Sequence, residues 1–275
     1  MTLEATADSI DHGTAASGSS FYAAMRILPP AQRDAMFQVY SFCREVDDIA
    51  DSNGPRSERL AALQKWRDDI DALYQGNPPP RLRDYVSSVK TFGLKREDFL
   101  AIIDGMEMDV PQDIRAPDMA TLDLYCDRVA SAVGRLSVRV FGLPEEDGIQ
   151  LAHHLGRALQ LTNILRDIDE DAARDRVYIP LSWLGPDADA GTLLSRPDLY
   201  EACHRLLARA EDGFAAAEAA LAGADARPLR PARVMMWAYR RILERLAARG
   251  FHPPRLRPRL GPAEKLRLAA MALGW

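Results

Sequence analysis

The sequence predicts an all-α fold in a single domain, and three observations carry that reading. Apolar residues recur at intervals of three and four in almost every window of the 275 residues, whereas alternating apolar and polar runs bounded by turn residues are absent. Gly, Asn and Pro interrupt the pattern at helix-length intervals, and no low-complexity linker divides the chain.

Taken in order, residues 1–17 form a polar leader expected to be disordered, and 18–275 one domain of about ten helices. The first helix placed by its signals starts at Pro30, where a missing N–H is harmless. Met36, Val39, Tyr40, Cys43, Val46 and Ile49 line one of its faces, and it stops near Asn53-Gly54-Pro55. Three further helices end at Gly76, at Gly93 and before Pro111. Segments 118–142 and 145–171 are longer and more apolar, as suits the centre of a bundle. The loop DRVYIP follows, and then helices over 197–222, 228–249 and 262–273.

With 47% hydrophobic residues the chain can bury a large core. Its net charge of −5 conceals a split. Residues 227–275 hold 12 Lys/Arg against Glu244 and Glu264, a charge of +10, while residues 1–226 carry −15. An acidic body argues against a nucleic-acid partner, which would need basic charge across the contact face. Cys43, Cys126 and Cys203 are odd in number and far apart, so the sequence predicts reduced thiols in a cytoplasmic protein. No apolar run reaches the roughly 20 residues of a membrane span, and the N-terminal residues lack the pattern of a signal peptide. The adjacent His153 and His154 diverge by about 100° on a helix and cannot share one metal. The basic C-terminal region, with Leu266, Leu268, Met271, Leu273 and Trp275, offers a peripheral contact with anionic lipid; a solvated helix face is the alternative.

Two acidic strings carry chemistry. CREVDDIAD contains Asp47 and Asp51, and NILRDIDED contains Asp167 and Asp171; each pair is spaced i, i+4 and therefore shares a helix face. Like charges at that spacing destabilise a helix by a few tenths of a kcal/mol, so a compensating cation is expected. Mg²⁺ takes oxygen ligands and usually one or two carboxylates, completing its shell from water and phosphate. Two facing pairs therefore suggest a site for Mg²⁺ on a diphosphate. Arg44 stands one turn before Asp47 and Arg166 adjoins Asp167, where guanidinium forks can grip phosphate oxygens; Gln160 and Asn163 add polar groups. The alternative is a pair of solvated acidic faces, but Val46, Ile49, Ala50, Ile164, Leu165 and Ile168 interleave with the acids, and buried carboxylates need partners.

At these residues the sequence resembles the squalene and phytoene synthases, which join two prenyl diphosphates head to head. SSFYAAMRILPPAQRDAMFQVYSFCREVDDIAD, YCDRVASAVG and LTNILRDIDEDAARDRVYIP carry the resemblance. Within the family, GSSFYAAMRILP, FCREVDDIAD and YCDRVASAVG are most similar to the bacterial branch that makes presqualene diphosphate for squalene and hopanoid synthesis. The resemblance implies an isoprenoid-synthase helical bundle around a central cavity, a prenyltransferase, Mg²⁺ with Mn²⁺ as a substitute, no requirement for NADPH, and farnesyl diphosphate as substrate. It also implies downstream squalene-pathway enzymes as partners.

Carried over position by position, it makes Asp47, Asp51, Asp167 and Asp171 metal-binding and catalytic, with Tyr125 as the catalytic tyrosine. Arg44, Gln160, Asn163 and Arg166 would touch diphosphate or its metal shell. Ser20, Tyr40, Tyr178 and Tyr239 would line the substrate pocket, and Arg255 would close a second diphosphate site, with Arg257 also facing diphosphate. Phe21, Val133 and Leu159 would supply dry walls for a carbocation. The charged pair Asp127-Arg128 departs from the family pattern and is read as a hint of a different product outcome. Alternatives remain at this point: a phytoene-type enzyme acting on geranylgeranyl diphosphate, a complete NADPH-dependent squalene synthase, and a non-catalytic assembly factor of the same fold.

Overall fold

Pro30 stands in the first turn of α1 (Pro30–Asp51), and Ala35, Val39, Phe42, Val46 and Ala50 form its buried stripe at spacings of three and four. The computed structural model describes residues 25–26, 28–110, 116–184, 190–222 and 226–273. The polar leader, Ser20, Phe21 and Trp275 lie outside the described residues. Phe42 anchors α1 by edge-to-face contacts with Trp66 of α2 (Arg56–Tyr74) and Phe99, at centroid distances of 5.2 and 5.1 Å. After a short 3₁₀ turn come α3 (Tyr85–Phe92) and α4 (Arg96–Asp109), the latter carrying Phe99. Gly93 ends α3 in the left-handed conformation that only glycine adopts without strain (φ 61°).

The segment expected to be one helix over 118–142 is α5 (Met119–Cys126) and α6 (Ala132–Phe141), joined by a π-helical turn at Asp127–Ser131. Asp118 caps α5 by accepting from the Thr121 N–H at 2.6 Å. The 29-residue α7 (Glu145–Ala173) follows, with Glu145, Glu146 and Asp147 in its first turn complementing the helix dipole. Beyond it lie the short helices α8 (Leu181–Leu184) and α9 (Ala190–Leu193), then α10 (Leu199–Ala220), α11 (Ala226–Arg249) and α12 (Pro262–Leu273). The start of α11 falls two residues before the expected Pro228, and Pro231 is accommodated inside the helix. No β-strand occurs among the described residues.

The axis of the bundle is α7, buried against α10 on one side and against α6 and the π-helical turn on the other. Small residues set these distances. A Cβ on Gly156 would lie 2.7 Å from the Ser131 Cα, one on Gly134 would lie 3.0 Å from the Ala152 Cβ, and one on Gly213 would lie 3.1 Å from the Ala158 Cβ. Ions lock the same crossing: Arg135 reaches Asp98 (2.5 Å) and Asp127 (3.1 Å), while Arg157 reaches Asp123 (2.8 Å), Asp127 (3.1 Å) and the Ser131 hydroxyl (3.0 Å). Asp127 thus belongs to a structural network, and Arg128 approaches Asp104 at 3.9 Å. Burial pushes the Cys43 and Cys126 thiols up to about 12, in keeping with packed, unreactive cysteines.

Gly156→Ala must push the π-helical turn off α7, and should cost about 2 kcal/mol in chemical denaturation. Gly54→Ala, whose Cβ would meet nothing nearer than 3.8 Å, should change stability by less than about 0.5 kcal/mol. Equal denaturation midpoints for the two variants would refute the close-packing account.

Candidate active site

Helical periodicity places Arg44, Asp47 and Asp51 along one face of α1, and Gln160, Asn163, Asp167 and Asp171 along one face of α7. These faces meet across a polar cavity of about 700 Å³. The tail of α4 supplies Asp109, α5 supplies Tyr125, the loop after α7 supplies Arg174, Arg176 and Tyr178, and the segment before α12 supplies Arg257. Seven carboxylates, including Asp48 and Glu170, face five guanidiniums in this lining.

The arginines neutralise the acids unevenly. Arg174 and Arg176 hold Asp51 at 2.6 and 2.7 Å, tying the loop after α7 to the end of α1. Asp167 is gripped by Arg166 at 2.8 and 2.5 Å and by Arg257 at 3.0 Å. Asp47 has only Arg44, which it shares with the more exposed Asp48. Asp171 forms no ion pair with any of the described residues. Withdrawal from water and the neighbouring Asp51 carboxylate raise Asp47 to about 6; withdrawal from water and Asp167 raise Asp171 to about 7.

Behind the acids sits a second device. Asp109 accepts hydrogen bonds from the hydroxyls of Tyr125 (3.0 Å) and Tyr178 (2.8 Å), whose rings stack at 5.0 Å. Burial raises the Asp109 carboxyl, with Arg176 and the two hydroxyls opposing the shift. Burial, and then the Asp109 charge, hold both tyrosines well above their usual range, so both remain neutral O–H donors.

Gln160 and Asn163 also line a second cavity of about 210 Å³, walled by apolar side chains including Met25, Met36, Val133, Phe141, Leu155 and Leu159. The polar cavity and the apolar pouch therefore meet at these two amides. The Asn163 side-chain amide donates to the Gln160 side-chain oxygen Oε1 at 3.4 Å, and its own side-chain oxygen is buried without a partner. A buried acceptor left open between two cavities is a ready ligand position. The donor set of Asp47, Asp51, Asn163, Asp167 and Asp171 is all oxygen, which suits a hard divalent cation. Among the described residues no three acidic, His or Cys side chains are gathered closely enough to enclose an ion alone.

Of the site residues read from the sequence, Arg44, Asp47, Asp51, Tyr125, Gln160, Asn163, Arg166, Asp167, Asp171 and Tyr178 are brought together around the polar cavity. Tyr239 lines the apolar pouch and interacts with the Arg166 guanidinium. Tyr40 packs half-buried against the core, outside both linings. Arg255 is committed elsewhere: it bonds Asp169 at 2.8 Å and the carbonyls of Phe251 and Leu194, and the guanidinium in the lining is that of Arg257, two residues on. Asp127 and Arg128 face neither cavity, whereas the next two residues, Val129 and Ala130, line the pouch. Sequence reasoning passed over Asp109, Arg174 and Arg176. An acid ending a helix, where the dipole disfavours it, was the available signal for Asp109.

Comparison with known proteins shows the family. The squalene/phytoene synthase family model matches residues 14–264. A presqualene diphosphate synthase of Rhodopseudomonas palustris is 62% identical over 270 residues, 97% of each chain. The structure of a dehydrosqualene synthase in complex with a ligand superposes with a TM-score of 0.80 at 23% identity, covering 96% of this chain and 94% of that one. A squalene synthase from Alicyclobacillus acidocaldarius superposes with a TM-score of 0.77 at 26% identity, covering 86% and 92%. With most of its length matched by the family model and by so similar a relative, the chain belongs to the squalene/phytoene synthase family.

Proposed function

We propose that this prenyltransferase condenses two molecules of farnesyl diphosphate, 1′ to 1, into presqualene diphosphate, releasing diphosphate and a proton. The observation that carries the reading is the junction at Gln160 and Asn163 between a cavity of acids and arginines and an apolar pouch. An amphipathic substrate with an anionic head and a long hydrocarbon tail fits that junction. The 62% identity to a presqualene diphosphate synthase supports the choice of product.

Asp47, Asp51, Asn163, Asp167 and Asp171 would hold Mg²⁺, which supplies charge neutralisation of the leaving diphosphate. Arg44, Arg166, Arg174, Arg176 and Arg257 bind phosphate oxygens alongside it; Arg166 and Arg257 are already positioned by Asp167, and Arg174 and Arg176 by Asp51. The C1–O bond of one substrate breaks with its electron pair leaving on diphosphate. The C2=C3 double bond of the second substrate attacks the C1 cation, and loss of a proton from that same C1 closes a cyclopropane. Val133, Leu155, Leu159 and Phe141 exclude water from the cation, which would otherwise be quenched to an alcohol. Asp109 holds the hydroxyl hydrogens of Tyr125 and Tyr178, fixing both rings at the cavity wall. Because both hydroxyls stay protonated, the base for the final proton is the released diphosphate.

Incubation with farnesyl diphosphate and Mg²⁺ should yield presqualene diphosphate that persists when NADPH is added. Squalene under those conditions, or phytoene from geranylgeranyl diphosphate at a higher kcat/KM, would contradict the assignment. Asp47→Asn and Asp171→Asn should each lower kcat by at least about 10²-fold, and wild-type rates in either would remove these carboxylates from the metal site.

A pH dependence follows from the raised carboxyls. Between the ordinary carboxylate pKa and the folded values of about 6 and 7, the folded chain keeps protons that the unfolded chain has lost. Stability of the metal-free protein from these groups therefore falls as pH rises through that window, and levels off above about pH 7. Mg²⁺ binds the ionised form, so the rise in Tm on adding it should be larger at pH 8 than at pH 5.5. A rise that is equal at both values would contradict the shared site.

A further inference from the structure

The most exposed large apolar side chains among the described residues are Leu256, Leu266 and Leu273, at 74%, 73% and 71% exposure, and all three lie in the last 20 residues of the chain. Leu268 and Ala272 of α12 turn inward, packing with Val234 and Ala238 of α11, and Met271 is partly buried beside them. Leu266, Ala269, Ala270 and Leu273 share the opposite side of α12. Lys265 and Arg267 then stand about 100° to either side of Leu266, bordering the apolar stripe with cations.

The charge around this stripe is one-sided. Glu264 is the only acid between residues 246 and 273, against six Lys/Arg. Its carboxylate is turned inward at 15% side-chain exposure, paired with Arg241 and Arg245. Arg259, Lys265 and Arg267 meet no carboxylate among the described residues. The exposed acids beside it, Glu244 and Glu170, are paired with Arg241 and Arg257. An apolar stripe flanked by cations that have no carboxylate partner matches an anionic bilayer surface, into which the leucines sink while the cations meet lipid phosphates.

We propose that α12 and the loop before it dock this protein on an anionic phospholipid membrane. Leu256 stands between Arg255, which holds Asp169, and Arg257, which holds Asp167 and Glu170. A bilayer that receives Leu256 therefore lies at the rim of the polar cavity. α11 joins α12 to the apolar pouch: Val234, Ala238 and Met235 pack toward α12, and Pro231, Met235 and Tyr239 line the pouch.

The full-length chain should co-sediment with vesicles containing phosphatidylglycerol, and far less with purely phosphatidylcholine vesicles, the difference shrinking in high salt. Leu266→Glu/Leu273→Glu, at positions outside both cavities, should lower the partition coefficient at least about tenfold while leaving turnover of detergent-dispersed farnesyl diphosphate unchanged. Lys265→Gln/Arg267→Gln should weaken binding by about fivefold for each cation removed and leave the melting temperature in place. Unchanged partition in both variants would overturn the proposal. So would equal binding to the two vesicle types, or a wild-type dimer in lipid-free solution that the leucine variant dissociates, which would mean a second copy of the chain covers the stripe.

Discussion

Seven carboxylates and five guanidiniums crowd into one cavity between α1 and α7, and the arrangement of the rest of the molecule depends on keeping them there. Each acid repels its neighbours, and a free chain would separate them. The bundle prevents this by burying the opposite faces of both helices. Val46 and Ala50 stand behind Asp47 and Asp51, and Ile164, Leu165 and Ile168 stand behind Asp167 and Asp171. Gly156 and Ala158 admit the neighbouring π-helical turn and α10 close to α7, so the helix that carries three of the seven acids is clamped from two sides. Withdrawal from water, and then the repulsion that survives, raise the carboxyls of Asp47 and Asp171, which among Asp47, Asp51, Asp167 and Asp171 have the fewest arginine partners. Under the proposed function a cation together with an anionic head group would resolve it, because arginines and acids would then each gain a partner.

α7 divides the labour along its length. Its C-terminal turns carry Asp167 and Asp171, its middle turns carry the amides of Gln160 and Asn163, and its earlier turns present Leu155 and Leu159 to the apolar pouch. A single helix therefore spans from the polar cavity to the apolar pouch. The amides suit the boundary between them, offering hydrogen-bonding groups without adding charge beside a carbocation.

The residues legible in the sequence were those whose signal is local. The i, i+4 acids read as faces because 3.6-residue periodicity leaves no other arrangement, and the longer, more apolar segments over 118–142 and 145–171 marked the centre of the bundle. Asp109, Arg174 and Arg176 were not legible because their partners are distant: Asp109 meets tyrosines 16 and 69 positions away, and Arg176 meets an aspartate 125 positions away. The same limit separates Arg255 from Arg257. Both are arginines in one irregular segment, and only tertiary packing turns the first toward Asp169 and the second toward Asp167. On α12 periodicity alone did not separate Leu268 and Met271, which pack inward, from Leu266 and Leu273, which do not. The π-helical turn at Asp127–Ser131 leaves no periodic trace, since it inserts a single widened turn into an otherwise continuous helix.

The central claim is that the two acidic faces form one site that binds cation and diphosphate together. Isothermal titration calorimetry of inorganic diphosphate into the protein, with and without Mg²⁺, tests it most directly. The account predicts weak binding without Mg²⁺, binding at least about tenfold tighter with it, and loss of that enhancement in Asp171→Asn. Diphosphate affinity that is the same with and without Mg²⁺ would contradict it.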